Sequence, residues 1–150
     1  DTLISKNLDL KKTLLYEDIL FAHGKFEMEQ KRWQNAERFF IECIQFCEQN
    51  NFTKSQEYLD AHIEIASLFL KEEKIEQAKL FSQKSLAVAK EIFGIHHPNY
   101  AVCLRQDAKL LMAYGLYKDA VEYLLIAHEI MEEVLGVNSK IVNEIVKIYF

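Results

Sequence analysis

Two pairs of side chains in the sequence have types that bind metal ions. Cys43 and Cys47 are four residues apart, so a helix would place both thiols on one face, in a geometry that zinc accepts. His96 and His97 are adjacent, directly before Pro98, and neighbouring residues rarely present both rings to one ion. The favoured interpretations are that the cysteines fill the core and the histidines cap a linker. We therefore expect no metal and no cofactor.

Catalytic motifs are missing from the sequence. It contains no glycine-rich phosphate loop, no His-Glu-x-x-His pattern and no nucleophile elbow. Carboxylate pairs such as Glu132 and Glu133 fall on polar faces of the predicted helices and indicate solvated surface. Three histidines, His23, His62 and His128, occupy positions that favour packing. The sequence therefore predicts that the chain is not an enzyme.

Arg105 and Lys109 are one helical turn apart and could together bind a carboxylate. The alternative is that both are solvated charges. The net charge of −5 is spread along the chain, and no third of it is basic, which disfavours binding to nucleic acid. The charge pattern disfavours a nucleic-acid partner and leaves both interpretations of Arg105 and Lys109 open.

The composition predicts long helices. Half of the residues are apolar, while only four glycines and one proline are present among 150 residues. The three cysteines are an odd number, which favours a reducing, intracellular compartment. No apolar run approaches the roughly 18 residues that cross a bilayer, so we expect no membrane insertion. We expect an all-α, cytoplasmic protein.

A repeat organises these helices. Ala36, Ala78 and Ala120 are separated by 42 residues twice over. The same interval relates four further sets: Tyr16, Tyr58 and Tyr100; Trp33, Ile75 and Tyr117; Gly24, Ala66 and Ala108; Phe39, Phe81 and Tyr123. Self-similarity at such a period is typical of a solenoid of stacked helical hairpins. The sets of small residues are expected where paired helices approach closely.

The expected organisation is a single domain over 1–150, within a larger protein. The repeats span about 16–51, 56–94 and 98–136, with a closing helix over 139–150. The paired helices are predicted at 16–32 and 35–49, 55–71 and 75–93, and 98–114 and 117–135, with the first turn around Trp33. Gly94 and Gly136 stop the second helix of their pairs, and Pro98 starts the next helix.

These sets of residues, repeated every 42 positions, resemble the tetratricopeptide repeat (TPR), whose usual period is about 34 residues. The longer period, and the run from Ser85 to Ala101 with Gly94, His97 and Pro98, resemble the kinesin light chain subclass. The resemblance covers roughly 16–136 and implies a right-handed superhelical α-solenoid whose concave wall is formed by the first helix of each pair. A partial resemblance to the helical C-terminal region of SET-and-MYND lysine methyltransferases leaves an enzyme's accessory domain as an alternative. A peptide-sensing TPR regulator is a third.

The resemblance also implies which residues face the groove. They are Phe21, Lys25 and Met28, then Ile63, Ser67 and Leu70, then Arg105, Lys109 and Met112. A partner peptide or helix, acidic as in kinesin light chain grooves, would bind there. A chaperone-type carboxylate clamp is not expected, because Phe21, Ile63 and Glu64 stand at some of its positions.

The predicted function is therefore a protein-protein interaction scaffold within a larger complex. The scaffold is expected in the cytoplasm, where it could associate with the cytoskeleton. Its apolar ends are expected to stack on further repeats or to self-associate.

Overall fold

The structure is a computed structural model that describes residues 2–136 together with residues 144, 147 and 148. The described residues form helices joined by short turns, and none of them lies in a strand. The helices are α1 (Thr2–Glu29), α2 (Trp33–Gln49), α3 (Gln56–Lys71), α4 (Ile75–Phe93), α5 (Pro98–Ala113) and α6 (Tyr117–Leu135). The prediction of an all-α chain is confirmed. No helix in this part of the chain is long and apolar enough to cross a membrane.

The turn between α4 and α5 follows from its residue types. Gly94, directly after α4, has a φ of +84°, which glycine adopts without the steric cost of a Cβ atom. Pro98 begins α5, where its missing N–H costs nothing. The side chain of His97 caps this helix, because its Nδ1 accepts a hydrogen bond from the N–H of Asn99 at 3.0 Å. The capping interpretation of His97 is confirmed.

The first helix differs from its prediction. It begins at Thr2 rather than near Tyr16, because residues 2–15 contain no glycine or proline to interrupt a helix. It ends at Glu29, and Lys31, with a φ of +60°, lies in the turn. Trp33 is thus the first residue of α2 and not part of the turn. The closing helix predicted over 139–150 lies outside the described residues, apart from residues 144, 147 and 148.

The chain divides into two compact units, which are described separately. The N-terminal unit (Asp1–Phe81) contains α1, α2, α3 and the start of α4. The C-terminal unit (Ser82–Phe150) contains the rest of α4 together with α5 and α6.

Small residues allow α1 and α2 to approach closely in the N-terminal unit. Gly24 is buried in α1, and a Cβ atom built on it would lie only 2.5 to 2.8 Å from three ring atoms of Phe40. Phe40 and Ala36 of α2 are fully buried. The expectation that these small residues pack at the crossing of paired helices is confirmed here.

The C-terminal unit repeats this arrangement between α5 and α6. Ala108 and Leu111 of α5 form a buried cluster with Ala120 and Leu124 of α6. Met112 packs against this cluster from its edge. The core thus fixes which face of α5 remains at the surface.

Candidate functional site

The predicted groove residues of the N-terminal unit include a cation that already has a partner. Lys25 Nζ of α1 lies 3.0 Å from Glu64 Oε1 of α3. The ion pair joins α1 and α3, each the first helix of its hairpin, at the surface. Surface ion pairs contribute at most about 1 kcal/mol to the free energy of unfolding. The charge of Lys25 is therefore largely compensated within the chain.

The uncharged members of this set differ in exposure. Phe21, Met28, Ile63 and Ser67 are half-buried. Leu70 is only 1% exposed, so its prediction as a groove-facing contact is wrong. The physical reason is that α3 packs on several sides: Leu68 and Phe69 are buried next to Leu70, so consecutive residues of this helix point into the core.

Arg105, Lys109 and Met112 lie on α5 of the C-terminal unit at intervals of four and three residues. Arg105 is half-buried, and its Nε atom is shielded from solvent yet has no hydrogen-bond partner in the described part of the chain. Lys109 is exposed and forms no ion pair with any described residue. This side of α5 therefore carries two cations without an ion-pair partner among the described residues. The half-buried thioether of Met112 lies beside them.

A buried carboxylate, which sequence reasoning missed, lies on the other side of α5. Asp107 is 1% exposed, and its Oδ2 accepts a hydrogen bond from Ser82 Oγ at 2.9 Å. The Ser85 hydroxyl lies 2.9 Å from the same oxygen, while Oδ1 has no hydrogen-bond partner among the described residues. Burial raises the pKa of Asp107 to about 6, although the serine hydroxyls act to lower it. The available signal was an aspartate between Leu104 and Ala108 on the apolar face.

A second buried carboxylate explains the environment of the cysteines. Glu17 is 2% exposed, and its Oε1 accepts hydrogen bonds from Cys47 Sγ, at 3.0 Å, and from Ser55 Oγ. Cys43 and Cys47 are both fully buried, so their interpretation as core residues is confirmed. A hydrogen bond with Cys43, burial and the nearby Glu17 raise the pKa of the Cys47 thiol. These thiols are therefore inert structural groups.

The histidines mostly pack or form pairs at the surface. His62 is buried, with its Nδ1 2.8 Å from the carbonyl oxygen of Tyr58, so its packing role is confirmed. His23 is exposed, and its ring lies 4.9 Å from the ring of Phe39 between centroids. His96 Nδ1 lies 2.7 Å from Glu133 in an exposed pair. No group of three or more His, Cys, Asp or Glu residues in the described ranges could hold a metal ion.

Two adjoining clefts border α2 in the N-terminal unit. One, of about 650 Å³, is lined by Arg32, Trp33, Gln34, Asn35, Glu72 and Lys74. The other, of about 560 Å³, is lined by Gln34, Glu37, Arg38, Ile41, Glu42, Gln45 and Lys74. Within this lining Lys74 Nζ lies 2.8 Å from Glu72 Oε2. Burial, and then the charge of Glu72, raise the pKa of Glu37. Sequence reasoning did not indicate these clefts.

Comparison with known proteins identifies the kind of fold. No family model and no curated protein sequence matches the chain. The structure is similar to the crystal structure of BtubC (BKLC) from P. vanneervenii, with a TM-score of 0.66 and 13% sequence identity. The fold is a TPR-like arrangement of helical hairpins. The match covers 89% of this chain and 57% of that chain, so this chain matches little more than half the length of its neighbour.

Proposed function

We propose that this chain is a TPR-like interaction scaffold that binds an acidic segment of another protein. Arg105 and Lys109 on α5 bind the carboxylates of that segment. The observation that carries this proposal is that the cation on α1 has an anionic partner within the chain, whereas the two cations on α5 have none in the described part of it. Lys25 is paired with Glu64, whereas Arg105 and Lys109 have no anionic partner among the described residues.

The half-buried position of Arg105 makes it the stronger of the two contacts. A guanidinium group binds a carboxylate through two parallel hydrogen bonds, and at Arg105 the two terminal nitrogens would make them, because Nε is shielded from solvent. Partial burial lowers the local dielectric constant, so a partner carboxylate is attracted more strongly here than at an exposed lysine. Lys109, one turn further along α5, adds a flexible second cation.

Met112 extends the site with an apolar contact. It lies seven residues after Arg105, which is about 10 Å along the same side of α5. Its flexible thioether adapts to partners of different shape. The preferred segment therefore carries one or two acidic residues followed, about 10 Å away, by a large apolar side chain.

The proposed scaffold works in a reducing compartment. Cys43, Cys47 and Cys103 are buried free thiols, which is typical of proteins that work inside the cell.

A titration with one peptide tests the proposed function. The probe is a fluorescein-labelled 12-residue peptide that contains Asp-Glu followed by Trp, and fluorescence anisotropy measures its binding. We expect the double variant Arg105→Glu/Lys109→Glu to weaken binding at least tenfold. The matched control, Lys90→Glu/Lys118→Glu, changes two exposed lysines and the net charge equally, and should alter binding less than threefold. Equal binding by both double variants would refute the proposal.

A further inference from the structure

An apolar stripe runs along the solvent side of α1. Its members, with their exposed fractions, are Ile4 (72%), Leu8 (51%), Leu15 (57%), Ile19 (42%) and Phe26 (52%). At 100° per residue these five side chains fall within an arc of about 60°, so they form one line along the helix. We call this line the α1 seam.

The α1 seam points away from the rest of the N-terminal unit. The buried residues of α1 are Glu17, Leu20 and Gly24, and they lie about 160° around the helix from the α1 seam. Because α2 and α3 pack on that buried side, the α1 seam is left at the surface. Four other large apolar side chains of α1 are also exposed but lie outside this arc: Leu3, Leu10, Leu14 and Tyr16. The five members of the α1 seam are the largest aligned group among them.

The spacing of the α1 seam is that of a helix-pairing surface. With Lys11 and Ala22 included, its positions are 4, 8, 11, 15, 19, 22 and 26, separated by three or four residues throughout. Such alternation places side chains where they interdigitate with those of another helix. The complementary surface is thus another helix with similar spacing.

We propose that the α1 seam pairs antiparallel with the α1 seam of a second copy of this chain, with the two-fold axis at Leu15. In this alignment, residue numbers that face each other add up to 30. Leu8 then faces the small Ala22, and Ile4 faces Phe26.

Charge selects this orientation. Antiparallel pairing brings Lys11 of one copy beside Ile19 and Asp18 of the other, so its ammonium group meets a carboxylate. A parallel, in-register pair would place Lys11 beside Lys11 of the other copy, and like charges in contact oppose association.

The area predicts a weak dimer. The five members of the α1 seam expose on the order of 500 Å² per chain, so pairing removes about 1,000 Å² from water, which is close to the lower limit for a specific interface. An interface at this limit is typical of weak, transient association.

Sedimentation equilibrium of the 150-residue chain tests the proposal. The variant Leu15→Lys places two ammonium groups together on the two-fold axis and should weaken dimerisation at least tenfold. Its matched control, Leu14→Lys, changes a neighbouring leucine of similar exposure outside the α1 seam and should change it less than twofold. Circular dichroism verifies that both variants keep their helices. A chain that stays monomeric up to about 200 μM overturns the proposal, because even a weak dimer of this kind should be populated at that concentration. Equal losses in both variants overturn it too.

Disulfide trapping tests the orientation. The double variant Leu8→Cys/Ala22→Cys should form a covalent dimer under mild oxidation, because the two introduced thiols face each other across the antiparallel pair. Leu8→Cys alone should not, since its thiols are then far apart. The three native cysteines are buried and should stay monomeric on a non-reducing gel. Efficient trapping by Leu8→Cys alone would indicate a parallel pair and overturn the proposal.

Discussion

Replacing the buried Asp107 by asparagine should make the stability of the C-terminal unit less dependent on pH. The aspartate is 1% exposed, and burial raises its pKa to about 6 from an ordinary value of 3.8. The folded chain therefore holds this proton more tightly than the unfolded chain does. Between these two pKa values the folded state binds more protons, so the free energy of unfolding falls as pH rises.

The size of the effect follows from the pKa difference. A difference of about two pH units corresponds to roughly 3 kcal/mol, which is lost as pH rises from about 4 to above 6. Asp107→Asn keeps an oxygen acceptor for the Ser82 hydroxyl but cannot ionise. Its stability relative to the natural chain should therefore increase by about 2 kcal/mol between pH 4.5 and pH 7.5. Any constant cost of placing an amide there cancels from this comparison.

Hydrogen exchange with mass spectrometry across a urea series measures this difference. Peptides from α5 and α6 report the C-terminal unit, whereas fluorescence of Trp33 reports the N-terminal unit, because it is the only tryptophan. Glu129→Gln, at an exposed position of α6, serves as the matched control and should change stability little at either pH. The reasoning is refuted if the difference between Asp107→Asn and the natural chain is the same at pH 4.5 and pH 7.5.

Two further substitutions test the packing and the helix cap. Gly24→Ala should destabilise the N-terminal unit by about 1 to 3 kcal/mol, because the added methyl group would overlap the ring of Phe40. Urea unfolding followed by Trp33 fluorescence measures this loss of stability. An unchanged unfolding midpoint would contradict the close approach of α1 and α2. His97→Ala should cost about 1 kcal/mol, because the N–H of Asn99 loses its acceptor. Faster hydrogen exchange confined to the first turn of α5 is the expected sign, and unchanged exchange there would argue against the cap.

The helix boundaries could largely be predicted, because they depend on local chemistry. Gly94 and Gly136 both have positive φ values, and Pro98 begins α5. The start of α1 was missed because the first residue that takes part in the 42-residue repeat is Tyr16. The repeat carries no information about the residues that precede it.

The candidate site depended more on three-dimensional packing. The family resemblance placed Leu70 on a groove face, but α3 is enclosed on more than one side, which the pattern of a single helix cannot reveal. Glu17 and Asp107 were missed because charged residues are normally exposed, and their hydrogen-bonding hydroxyls are 22 to 38 residues away in the chain. Arg105 and Lys109 were identified from the family resemblance together with their spacing, and their role in binding stays a prediction.

Methyl NMR of the chain with ¹³C-labelled methionine tests the central claim most directly. Its three methionines report different places: Met112 on α5, Met28 in the N-terminal unit, and Met131, which is 5% exposed in the core. On titration with the acidic 12-residue peptide, the Met112 signal should shift with saturation while the Met131 signal stays fixed, and Arg105→Glu/Lys109→Glu should abolish the shift. A Met112 signal that does not move, or that moves equally in the double variant, would contradict the proposal that α5 binds an acidic partner.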